Sequence, residues 1–393
     1  MQRWHLSETS AEGLRKSFDE GYSSLSNSLP SGNEKLSRPL NSNTVILDYL
    51  DTSQSMMSYE RESRWVELFS EFNPGRIFFF VQGEGEKRVL LPDDSELGEM
   101  LISGGVSIKG DDGRSRYSDV VFGRLRDFEP RSFVSLLRAQ FQVGFRPSLA
   151  ILGAPIENGI VEALIEDSSS VIFSSRYRWS APKLFDLLFE SPVQLIDLEW
   201  LQVSSWRAQL RNLAMKYDLS NAYERLEKLT IESSALHDDT IGIQEGMDAS
   251  SALFVGWFVS QMKSRVRSLS SDGVECVTSS GRSWVISHKR DDSPSAFSLR
   301  EVKLDFLADD KDDSPENVRI HLNAERMFET NLKCGEKNFH FTGTNRDFTP
   351  EDDLRRYFTR GESVASYRSS YAIACEVQEL LGCSTKGVFR KSV

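Results

Sequence analysis

The chain has 393 residues, 39% of them apolar, which is enough to bury one large or two ordinary cores, and its 59 acidic against 47 basic side chains leave a net charge of −12. That balance excludes a general nucleic-acid surface, which needs clustered Lys and Arg to displace phosphate counterions. The longest apolar runs fall short of the roughly 20 residues a bilayer crossing needs. Met1-Gln2-Arg3-Trp4-His5 leads into polar sequence without an apolar signal core, so a cytoplasmic protein with no membrane partner is expected.

In residues 1–43, Leu14, Phe18, Tyr22 and Leu25 recur at helical spacing after the capping candidates Thr9 and Ser10. The spacing predicts one amphipathic helix and then a flexible connector. A helix this short is marginal alone and must dock, on its own N-terminal domain or on a partner.

From Val45 the pattern alternates. Strands are predicted at 45–50, 76–82, 119–126, 148–153, 170–175 and 194–200, and helices at 61–72, 130–143, 156–166 and 181–190. Runs such as Ile77-Phe78-Phe79-Phe80-Val81 and Leu149-Ala150-Ile151-Leu152 suit strands covered on both faces. The alternation predicts an α/β N-terminal domain with a largely parallel sheet over residues 44–203. Residues 83–118 interrupt it with a β-like Arg88–Leu91, a short helix near 93–101 and a glycine-rich loop. Gly104-Gly105-Val106-Ser107-Ile108-Lys109-Gly110 fails as a P-loop because no Gly-Lys-Ser/Thr follows, and Gly-x-Gly-x-x-Gly is missing too. A surface turn is expected there, and no cofactor. Arg124 and Arg126 project to one face of a strand and form a candidate anion site.

The run Gln194–Trp200 reads as a strand whose end carries Trp200 into a loop. Trp206, Leu210, Leu213 and Tyr217 then share one face of a helix capped by Ser205. Residues 204–270 read as connecting helices. Ala222–Leu229 continues as helix, Leu229-Thr230-Ile231 is a short strand, and Asp248 caps a helix running to Ser268. Gly256 inside that helix costs it about 1 kcal/mol relative to Ala, which predicts another backbone passing close by. His237-Asp238-Asp239 is the one His–carboxylate cluster in the sequence, and without further ligands it argues for no metal.

Residues 271–393 change character. Short runs at 274–280, 283–290, 297–308, 317–323, 326–333 and 338–342, separated by turn signals, predict an antiparallel meander. Helices at 350–358 and 364–381 are expected to cover one of its faces, giving an α+β C-terminal domain. Cys276, Cys334, Cys375 and Cys383 show no Cys-x-x-Cys spacing and read as reduced structural thiols. Gly-x-Ser-x-Gly is absent, the five histidines are scattered, and no pair among the carboxylates stands out, so no catalytic residue is assigned.

The spacing Asp197-Leu198-x-Trp200-x5-Trp206-Arg207, with Gly256-Trp257 in a later apolar helix and Asn73-Pro74-Gly75-Arg76 before a hydrophobic strand, resembles the OpcA-type glucose-6-phosphate dehydrogenase assembly proteins over roughly residues 9–330. The chain departs from that family at Asn73 and Gly75, where His and Ser are usual, and beyond about residue 330. The resemblance implies a bacterial, non-catalytic accessory protein of the pentose phosphate pathway, with glucose-6-phosphate dehydrogenase as partner and an assembly-promoting or allosteric role. Trp206 is then expected to be structural, and Trp200, Arg207 and Asp197 to face the partner. The competing expectation is an α/β domain that binds, or an enzyme that acts on, a small phosphorylated metabolite, with Arg124 and Arg126 at its mouth.

Overall fold

A computed structural model of the chain describes residues 5–9, 13–28, 42–50, 58–83, 101–109, 115–125, 129–141, 144–153, 159–217, 219–234, 237–238, 242–243, 247–291, 299–308, 314–325, 327–343, 349–360 and 366–381. The chain forms two compact units, the first from Met1–Asp197 with Leu354–Gly361, the second from Leu198–Asp353 with Glu362–Val393. The expected fold class holds: an α/β N-terminal unit with a mostly parallel sheet precedes an α+β unit with a mostly antiparallel one. No helix among the described residues is long and apolar enough to cross a membrane.

The first unit contains β1 (His5–Thr9), α1 (Leu14–Ser28), β2 (Asn43–Leu50), α2 (Ser58–Phe72), β3 (Arg76–Gly83), β4 (Leu101–Lys109) and β5 (Ser115–Arg124). It continues through α3 (Pro130–Gln140), β6 (Ser148–Gly153), α4 (Ile160–Asp167), β7 (Ser170–Phe173), α5 (Pro182–Glu190) and β8 (Gln194–Asp197). Its sheet runs β1-β4-β5-β3-β2-β6-β7-β8. The six strands from β5 to β8 are mutually parallel, while β4 and β1 add an antiparallel edge. Ile77 to Val81 are all at most 4% exposed, as a strand sandwiched on both faces requires.

The amino edge of this sheet is tied by the Asn-Pro-Gly-Arg segment. Ser42 Oγ donates to the carbonyls of Asn73 and Pro74, and Asn73 Nδ2 donates to Thr44 Oγ1. A Cβ on Gly75 would lie 2.3 Å from the Ser42 carbonyl oxygen, so only glycine fits there. Arg76 pairs with buried Asp119 at 3.7 Å, donates to the Gln140 carbonyl, and lies over the Phe18 ring of α1. With Leu14 and Phe18 buried and Tyr22 edge-on to Tyr117, α1 docks on its own domain.

Several expectations are corrected. The stretch Gly104–Lys109 is strand, not surface turn, because β4 pairs along β5 and a Cβ on Gly105 would strike the Tyr117 ring. β8 ends at Asp197, and Trp200 lies in a short helix, α6 (Leu198–Gln202). The following α7 (Ser204–Lys216) carries Trp206, but its N-cap residue is Val203, not Ser205. After α8 (Leu219–Tyr223), residues 226–229 are strand: β9 (Leu226–Ser234) buries Leu229, Thr230 and Ile231 in succession and lies inside the second sheet. The segments 88–91 and 93–100 lie outside the described residues.

The second unit continues through a two-residue hairpin pair, β10 (His237–Asp238) and β11 (Gly242–Ile243), to α9 (Ala249–Gln261). There follow β12 (Ser264–Ser270), β13 (Gly273–Thr278), β14 (Ser283–Asp291), β15 (Leu299–Phe306), β16 (Pro315–Leu322), β17 (Phe328–Cys334) and β18 (Lys337–Gly343), then α10 (Pro350–Arg360) and α11 (Tyr367–Leu380). The meander is interrupted, because β9 inserts between β14 and β15 and runs parallel to β14. Asp248 caps α9 by accepting from Ser251 N at 2.9 Å, yet the helix ends at Gln261, not Ser268. A Cβ on Gly256 would sit 2.0 Å from the Ser370 carbonyl oxygen, so α9 and α11 meet backbone to backbone where a close approach was expected. α10 does not join α11: from Leu354 onward its residues belong to the first unit, within which Phe358 packs on Phe69 and Phe72 of α2.

Candidate functional site

The six parallel strands follow the order β5-β3-β2-β6-β7-β8, so the chain winds outward one way from β2 and then reverses, starting again at β6. This is the dinucleotide-fold order 3-2-1-4-5-6, and in such sheets ligands sit outside the carboxyl ends of the strands where the direction reverses. Here that point lies between Tyr49 on β2 and its cross-strand partner Gly153 on β6.

Tyr49 is 5% exposed, and its hydroxyl has no hydrogen-bond partner among the described residues. Burial, and secondarily the nearby Glu162 carboxylate, push the Tyr49 phenol above its ordinary value, which keeps it a protonated donor. Gly153 has φ +77, and a Cβ there would lie 2.1 Å from the Tyr49 carbonyl oxygen, so no side chain stands between β2 and β7 at this level. On β7 the chain passes through Ser174 into a tight turn whose Ser175 N donates to Asp197 Oδ1 at 3.0 Å. The Ser175 hydroxyl is also buried and unpartnered among the described residues. Arg176, Arg178 and Trp179 follow on this turn, all half-buried. Buried polar groups in native proteins are nearly always paired, whereas these two buried hydroxyls lack a partner among the described residues.

The segment between β2 and α2, residues 51–57, lies outside the described residues; its sequence, Asp-Thr-Ser-Gln-Ser-Met-Met, holds no glycine and so lacks the Gly-x-Gly-x-x-Gly pattern usual after the first strand of this order. Arg124 ends β5 at this same carboxyl edge, but its side chain and all of Arg126 lie outside the described residues.

The expected partner-facing residues do not form a surface. Trp200 is 1% and Arg207 2% exposed. The two are brought together: the Arg207 guanidinium lies 3.6 Å from the Trp200 ring centre, and its Nη1 donates to the Trp200 carbonyl at 2.8 Å. The Trp200 ring also meets Tyr367 of α11 edge-on. Asp197, 1% exposed, is committed to Ser175. Trp206, expected to be structural, is buried against Phe328.

A second cluster was hidden from the sequence by the parallel pairing of β9 with β14. Ser233 Oγ lies 2.8 Å from His288 Nε2. Burial lowers the His288 pKa, Asp248 opposes that and Arg290 reinforces it. Ser233 is 2% exposed, so the pair has no nucleophile to offer and works as a satisfied buried contact. On the polar face of the same sheet, Lys303 pairs with Asp305, Arg319 with Glu301 and Lys333 with Glu316. Among the described residues no group of three His, Cys, Asp or Glu is placed to hold a metal.

No family model and no curated protein matches the chain. The chain is similar to the solved structure of a biliverdin reductase from Synechocystis sp. PCC 6803 with biliverdin and NADP+, at 12% identity and TM-score 0.47, covering 88% of this chain and 99% of that one. It is also similar to a levoglucosan dehydrogenase with NADH and L-sorbose (10%, 0.43, 88% and 97%) and to a 3-ketoreductase from Actinomadura kijaniata with NADP and TDP-benzene (9%, 0.46, 87% and 98%). At these values no residue role, substrate or cofactor passes to this chain. The comparisons nevertheless overturn the expected OpcA-type membership, non-catalytic assembly role and allosteric function: the similar structures are oxidoreductases by name, and no family model supports the resemblance. The physical reason is that its motif residues have internal work. Asp197, Trp200, Arg207 and Gly256 serve packing, and Asn73 to Arg76 tie the amino edge of the sheet.

Proposed function

We propose that the chain is an enzyme of small-molecule metabolism whose first unit binds a phosphorylated metabolite at the carboxyl edge of its parallel sheet. The observation that carries this is the reversal of strand order between β2 and β6, with the unpartnered Tyr49 hydroxyl beside it. Arg176 and Arg178, on the turn after β7, bring positive charge to this edge. A thermal-shift panel of sugar phosphates, nucleotides and inorganic phosphate tests the reading, followed by phosphorus NMR of any compound that binds. A saturable shift that Tyr49→Phe weakens supports it, and conversion of the compound supports catalysis. A panel without any shift overturns it.

A further inference from the structure

Each eight-stranded sheet ends in two edge strands, and an edge invites pairing with another chain unless something blunts it. Three of these four edges are blunted. β1 has five residues and β8 only four, and Gln194 at the start of β8 donates through Nε2 to the Tyr357 hydroxyl of α10. β12 carries a register shift between Val266 and Ser268, together with the charged Arg265 and Arg267. Short strands, bulges and charges are the usual guards against edge pairing. β18 has none in its middle. Its seven residues pair with β17 without a register shift, it holds no proline, and Lys337, its one Lys, Arg, Asp or Glu, stands at its first position. Among the described residues no strand pairs with its outer side.

The sequence of β18 is also complementary to itself. When a second Lys337-Asn338-Phe339-His340-Phe341-Thr342-Gly343 runs antiparallel about a two-fold axis at His340, Phe339 lies opposite Phe341, Asn338 opposite Thr342, and Lys337 opposite Gly343. No two Lys, Arg, Asp or Glu side chains then face each other, and cross-strand aromatic pairs are favourable. The rings are already ordered for this. Phe339 and Phe341 are half-buried, lie nearly parallel with centroids 6.4 Å apart, and each packs at 5.6 Å on Tyr217 of α7. We propose that β18 pairs antiparallel with β18 of a second copy of this chain, joining the two eight-stranded sheets edge to edge and continuing the aromatic row across the axis. A contact of this kind uses the same patch on both copies, so it closes as a dimer.

Sedimentation equilibrium of the full chain over the micromolar range tests this, with His340→Lys, His340→Glu and an equimolar mixture of the two. His340 is exposed, and its ring meets Asn331 Oδ1 through Nδ1, so neither substitution should disturb the fold; melting curves check that. The parent is expected at twice the 44.6 kDa of one chain. Each variant sets like charges opposite each other at the axis and should weaken the dimer several-fold, whereas opposite charges meet in the mixture and should restore it. A parent that stays at 44.6 kDa throughout would overturn the proposal and leave the edge, if it is used, to an extended segment of a different protein. A dimer of equal strength in the parent, both variants and their mixture would overturn it too, because its contact would then lie away from β18.

Discussion

Tyr49 illustrates how a residue can be unfavourable for the fold and useful to a ligand. Its hydroxyl is buried without a described partner, and such a group typically costs about 1–3 kcal/mol. Tyr49→Phe is therefore expected to melt at the same temperature as the parent or higher, while losing affinity for whichever phosphate ester binds; a large drop in the melting temperature would show that the hydroxyl has a structural partner. Trp200 is the opposite case. With its ring between Arg207 and Tyr367, Trp200→Ala should lose about 3–5 kcal/mol in urea unfolding, as readily as Trp206→Ala. Gly256→Ala pushes a methyl group into the Ser370 carbonyl and should cost about 1–3 kcal/mol by overpacking. His288 gives a pH signature. Its folded pKa lies below the unfolded value of about 6.5 because burial disfavours the charged ring. The unfolded chain then binds the extra proton, so this contribution is complete above about pH 6.5 and falls away as the pH drops toward the folded pKa. Denaturant melts from pH 8 to 5 should show that slope, and His288→Gln should flatten it. At the carboxyl edge the sequence singled out Arg124, which ends β5, but not Tyr49, Ser175 or the turn after β7, whose residues follow no period and are placed only by the strand order.

Among the elements, the legible ones are those whose patterns answer to their own packing. Continuous apolar runs gave β3 and β6, and turn-bounded alternation gave β13 to β18 within two residues or so. β4 was missed because its glycines read as a turn, whereas Gly105 is small to let Tyr117 pass. Only the middle of β9, Leu229-Thr230-Ile231, was legible as strand; its full extent and its parallel pairing with β14, more than fifty residues away, leave no local signal. The N-terminal helix was legible as a helix but not in its consequence. The sequence predicts that removing residues 1–30 leaves the fold intact, yet Leu14 and Phe18 are buried and β1 pairs with β4. Fully burying each such side chain is worth about 1.5–3 kcal/mol, so a chain beginning at residue 29 should melt several degrees lower, and an unchanged melting temperature would show that α1 contributes no packing.

For the whole molecule, motifs that identify a family by spacing can be internal structure. Every element of the Trp-Arg spacing is consumed by packing, while the carboxyl edge of the first sheet lies at the opposite end from the Asn-Pro-Gly-Arg segment. The central claim is that a phosphorylated ligand sits where the strand order of the first unit reverses. Hydrogen exchange by mass spectrometry, with and without saturating ligand from the thermal-shift panel, tests this most directly. The account predicts slower exchange in the carboxyl-terminal halves of β2, β6 and β7 and in the turn through Trp179, with the second sheet unchanged. Protection confined to the second sheet, or to the amino edge around Asn73, would contradict it.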